Sequence, residues 1–102
     1  MRQSIQRTID QVPQSNIPDE VSKACAIDWG VMVDAYLASA APVGSCYAAK
    51  VFLDQSGMIY DGMTVVTPAV EIVIERSGFL LAQSVSGQDH YVIVSLYNSD
   101  QE

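Results

Sequence analysis

Histidine occurs once, at position 90. A Ser-His-Asp or Cys-His mechanism would have to use His90 as its base, and a multi-histidine metal site cannot be assembled within one chain. Asp89 precedes it, at a position where a turn-forming aspartate is expected on backbone grounds alone. Asp54 and Asp61 flank a predicted hairpin, placed to share a proton or a cation, yet each also occupies a turn position that favours aspartate. Glu71 and Glu75 fall on one face of a predicted strand, about 13 Å apart along it, too far for a directly coupled acid pair. Cys25 and Cys46 lie far apart, in no CxxC pattern and among apolar neighbours, which predicts buried reduced thiols. The chain has no GxGxxG, P-loop, HExxH, GxSxG or EF-hand pattern, so its motifs imply neither a cofactor nor a metal.

The elements that position these residues change period at Pro42. Ile5, Ile9 and Val12 have the spacing of a short amphipathic helix over about residues 2–12, stopped by Pro13. A second helix is predicted over about 18–40: Pro18 suits a first turn, Asp19 and Glu20 complement the helix dipole, and Pro42 ends it. At 100° per residue it presents Cys25, Trp29, Met32, Val33, Tyr36 and Leu37 on one side and a small-residue stripe, Ala24, Ile27, Val31, Ala35 and Ala38, on the other. From about 45 to 97 the pattern is short strands cut by turns at 54–57, Asp61-Gly62, Thr67-Pro68, Ser77-Gly78 and 86–89. The expectation is a single α+β domain over residues 1–102, with two N-terminal helices and an antiparallel β-meander of five to six strands. The sheet would be open or curled into a small SH3-like barrel.

Taking Ser77-Gly78 as a two-residue loop sets Ile74 opposite Leu81 and Ile72 opposite Gln83. Val70, Val92, Val94 and Leu96 then share that core face. The reverse face carries Val73, Leu80, Ala82 and Ile93, an apolar patch bordered by Glu71, Glu75 and Tyr91. Such a patch calls for a cover: the N-terminal helix, closure of the sheet on itself, or another subunit or ligand.

Composition narrows the classes of function. With 49% hydrophobic and 17% charged residues the chain is not of the disordered type. A net charge of −7 argues against phosphate-neutralising nucleic-acid binding and against an anionic membrane surface. The start Met1-Arg2-Gln3-Ser4 has no apolar run behind it, and the uncharged stretch 35–49 is too short to span a bilayer, so a cytoplasmic location is expected. Residues 41–102 carry seven acidic against two basic side chains, a surface that could also meet a basic protein partner.

The segment Leu53 to Leu96, with Ser56-Gly57, Ile59, Asp61-Gly62, Val65, Thr67, Val70, Ile72, Ser86-Gly87 and Tyr91, resembles small orphan proteins of bacterial mobile elements, the products of integron gene cassettes. That resemblance implies a bacterial accessory protein and brings no catalytic residue with it. The leading expectation is a non-catalytic interaction or ligand-binding module, self-associating as a homodimer. It would work through Val73, Leu80, Ala82, Tyr91 and Ile93 with Glu71 and Glu75. One alternative is a small enzyme with a helix–sheet pocket lined by Trp29, Tyr36 and Tyr47, using His90 or an aspartate as general base. The other is an acidic inhibitor or immunity-type protein for a basic partner.

Overall fold

The computed structural model describes residues 17–98. The helix expected over 2–12 lies outside them. Helix α1 (Asp19–Cys25) begins where the Pro18 carbonyl accepts the amide hydrogens of Val21 and Ser22, with Asp19 and Glu20 in its first turn and Lys23 in its last. Val21 and Ala24, three residues apart, are fully buried.

The expected long helix does not form. Asp28 accepts the Gly30 amide, Gly30 turns into the left-handed region at φ +77°, and the chain leaves the helical path. From Ala35 it runs as strand β1 (Ala35–Val43). Tyr36 and Ala38 join one core cluster while Ala35 and Leu37 join another on the opposite face, the alternation of a strand covered on both sides, and the irregularity at Ser39, with φ +53°, brings Ala40 to the second cluster. Pro42 is accommodated within β1, opposite Tyr47 next to the Gly44-Ser45 turn.

Five more strands follow: β2 (Cys46–Phe52), β3 (Thr64–Val66), β4 (Val70–Arg76), β5 (Phe79–Ser84) and β6 (His90–Ile93). Their order across the sheet is β3-β2-β1-β6-β5-β4. Two antiparallel meanders are joined by the parallel pair β1–β6, in which Ala35, Tyr36 and Leu37 face Tyr91, Val92 and Ile93. The sheet is therefore mixed, where a purely antiparallel meander was expected. Among the described residues the short α1 stands in place of the second helix.

A bulge at Val73 corrects the expected pairing. Ile74 faces Leu81 as anticipated, but Ile72 faces Ala82 and Glu71 faces Gln83. The extra residue shifts everything before it by one, so Val70 and Ile72 exchange faces with Glu71. Gln83, expected in the core, reaches the Gly87 carbonyl at the following turn.

β3 and β4 lie five strand spacings apart in the sheet order, roughly 24 Å if the sheet were flat. Only Thr67, Pro68 and Ala69 connect them, a link that reaches about 14 Å at most. The sheet must curl. Thr67 N–H donates to the Tyr47 carbonyl at 2.9 Å and Val70 N–H to the Ser45 carbonyl at 2.9 Å, which hold the turn. Val65 near one edge and Val70 near the other both pack on the cluster of Ala35, Leu37, Ala49, Val51, Ala82 and Ile93, so that face is the inside of the curl. The outer face is covered by α1 and Trp29. The Trp29 indole N–H donates to the Ala24 carbonyl at 3.0 Å, and its ring lies under the Arg76 guanidinium at 5.7 Å.

Candidate ligand-binding cavity

The inner face of the curl is floored by short side chains. Tyr91 stands between Ala35 on β1 and Ala82 on β5, and these alanines leave room beside its ring. A cavity of about 340 Å³ opens there, with Ala35, Leu37 and Val51 beneath and Val65 and Thr67 of the β3 end as one wall. Ile59 closes it from above, and Asp34, Asp54, Asp89 and Tyr91 form the polar border.

The β2–β3 loop is held rigidly over this recess. Asp54 accepts the Ser56 hydroxyl and the amide hydrogens of Met58 and Ile59, which curls residues 54–59 and directs Ile59 onto the inner cluster. Asp61 accepts the Leu53 amide at 2.8 Å, and Gln55 N–H donates to the Asp34 carbonyl at 2.7 Å. Residues 58–60, expected as a strand, form part of this loop. Asp54 through Oδ2 and Asp61 through Oδ1 thus hold the loop together, by backbone amides and the Ser56 hydroxyl.

Charge accumulates at the border. Asp34 accepts the His90 amide at 2.8 Å, tying the start of β1 to the start of β6. Asp54 keeps its carboxyl ionised to lower pH than usual, first because of the Ser56 hydroxyl, with further help from the amides of Ile59, Met58 and Gly57. Tyr91 is pushed above the ordinary phenol value, chiefly by burial and then by the charges of Asp89, Asp34 and Asp54. The lining contains three aspartates and no basic side chain.

The residues singled out from sequence separate into groups. Leu80, Ala82, Tyr91 and Ile93 do share one face, but Ala82 and Ile93 are 1% and 2% exposed, so the sheet's own curl covers much of that patch. Glu75 stays with them, opposite Leu80 and beside Ile93 in a second recess. Val73 is exposed at the bulge, and Glu71 belongs to the other face. Trp29 and Tyr36 meet in the outer cluster, whereas Tyr47 packs on the inner one. His90 neighbours Tyr91 in β6 and so points to the opposite face from the cavity. Cys25 is exposed and Cys46 half-buried, not the buried thiols expected: Cys25 ends the short α1 in place of lying on a long helix's core side, and Cys46 opens β2 beside the Gly44-Ser45 turn.

Sequence reasoning missed Asp34, Ala35, Leu37 and Thr67 as cavity residues. The available signal was the density of alanine around 35–49, which leaves space inside a curled sheet. Among the described residues no three His, Cys, Asp or Glu side chains come together as metal ligands, and no helix is long and apolar enough to cross a membrane. No family model matches the chain, and neither a curated protein nor a solved structure matches it.

Proposed function

We propose that this protein is a non-catalytic module that binds a small organic ligand in the cavity on the inner face of its curled sheet. The observation that carries the reading is the cavity itself: about 340 Å³, apolar beneath, with a few polar groups converging at its border. That is the size and character of a preformed small-molecule site. Its loop is ordered by internal hydrogen bonds, so little entropy is lost on closing around a ligand. The cavity's serine and threonine hydroxyls are already committed, Ser56 to Asp54 and Thr67 to the Pro68 carbonyl, and the single histidine lies on the other face, which favours binding over nucleophilic chemistry.

The test is an amide chemical-shift titration of the labelled protein with 2-phenylethanol, 2-phenylethylammonium and phenylacetate as probes. At least one should shift Ala35, Leu37, Val65 and Tyr91 together, and Ala35→Leu, which fills the floor, should lower its affinity at least tenfold. If none of the three perturbs these amides, or Ala35→Leu leaves binding intact, the cavity is not the site.

A further inference from the structure

Resting on that reading, we infer that the ligand is an organic cation, an apolar body carrying an ammonium group, whose body lies on the alanine floor and whose charge meets the border of Asp34, Asp89 and Tyr91. The apolar recess and the border select different parts of one molecule. Ala35, Leu37 and Val51 are 3%, 1% and 2% exposed and offer only carbon to whatever rests on them. The border offers acceptors. Asp34 has an oxygen left over after receiving the His90 amide through its Oδ2. The Asp89 side chain accepts no hydrogen bond among the described residues, since the two bonds made by Asp89 use its backbone. Asp54 serves the loop through its Oδ2 alone and adds its charge to the border.

Physical chemistry then discriminates among occupants. An anion brought to three carboxylates is repelled by all of them. A neutral molecule of the same shape strips water from Asp34 and Asp89 and returns no compensating charge, which costs binding energy. An ammonium group replaces that lost hydration with charge-assisted hydrogen bonds, and its three donors suit oxygens arrayed around a rim. The three basic side chains among the described residues offer no competing internal partner. Lys23 is on α1, Arg76 is engaged by Trp29 and the Asp28 carbonyl, and Lys50 borders a different recess.

The three probes named above differ mainly in charge, and they separate this inference from the one beneath it. Binding of 2-phenylethylammonium should exceed that of 2-phenylethanol at least tenfold at low ionic strength, with phenylacetate weaker still, and the preference should shrink as salt is added. Asp89→Asn, which breaks no hydrogen bond of its side chain among the described residues, should reduce the preference severalfold by weakening the ammonium probe, while 2-phenylethanol binds no more weakly than before. Glu71→Gln, a charge removed from the outer face, should change neither, which controls for the general attraction of a protein with net charge −7. Equal affinity for the ammonium and the alcohol at the cavity would overturn the cationic assignment while leaving the cavity as a binding site. A preference untouched by Asp89→Asn or lost equally in Glu71→Gln would also overturn it, and silence from every probe would remove both readings.

Discussion

Tyr36 and Tyr91 show how one residue type takes its character from its surroundings. Both lie in the central strands of one sheet, on opposite faces, and both phenols are harder to ionise than a free tyrosine. At Tyr36 burial comes first and the neighbouring Cys25 adds to it, which together push the phenol up to about 12. The consequence for stability follows from proton counting. The unfolded chain gives up its tyrosine protons near pH 10, while the folded chain keeps the Tyr36 proton to about pH 12. The contribution is therefore complete below pH 10 and is lost as pH rises through the folded value. Urea unfolding between pH 9 and pH 12 should show stability falling across that window. Tyr36→Phe should flatten the fall, and an unchanged slope in that variant would mean another group is responsible. At neutral pH both rings are uncharged, so Tyr91 enters the cavity border as a hydrogen-bonding phenol beside the carboxylates.

At the scale of elements, turns were more legible than the segments between them. Ser77-Gly78 was readable as a two-residue hairpin, and both residues take positive φ, 56° and 85°, as a type I′ turn demands. Asparagine tolerates that conformation better than serine, and a β-branched residue tolerates it badly. Ser77→Asn should stabilise the protein by about 0.5 kcal/mol and Ser77→Val should destabilise it by about 1–2 kcal/mol, read from urea midpoints. Equal midpoints would show that this hairpin closes without its turn. Asp61-Gly62 carried the same sequence signal and meant something else: only Gly62 has positive φ, and Asp61 serves the Leu53 amide instead of linking two strands. Strand β1 was read as helix for a definite reason. A strand buried on both faces loses its polar alternation, and the run Ala35-Tyr36-Leu37-Ala38 fits a helical period equally well. Ala35 and Leu37 of the cavity floor lie on β1 and Asp34 just before it, so that one ambiguity concealed these cavity residues. Tyr91, on a strand whose alternation survives, can be assigned to its face from the sequence, and it stands at the cavity border.

The whole molecule depends on bringing residues far apart in sequence into register. Ala35 pairs with Tyr91 and Leu37 with Ile93 at the centre of the sheet, a parallel contact that no local turn can set up. What closes the other dimension is the short link from β3 to β4, and its key residue is Thr67, only 6% exposed. Its hydroxyl accepts the Tyr47 amide at 3.0 Å and donates to the Pro68 carbonyl at 2.7 Å, so one side chain satisfies two backbone groups where the chain leaves one edge for the other. Thr67→Val keeps the volume and removes both bonds, leaving the Tyr47 amide and the Pro68 carbonyl unpaired. A loss of about 1–3 kcal/mol is expected from that orphaning. Thr67→Ser keeps the hydroxyl and should cost only about 1 kcal/mol for the missing methyl. Thr67 is also a wall of the cavity, so the same pair of variants connects fold to function: valine should weaken binding of 2-phenylethylammonium by loosening the curl, and serine should largely preserve it. If valine and serine shift the urea midpoint equally, the hydroxyl is not what holds the two edges together. The curl would then rest on the inner apolar cluster and the backbone bonds of Thr67 and Val70, and the cavity's shape would follow from its alanines.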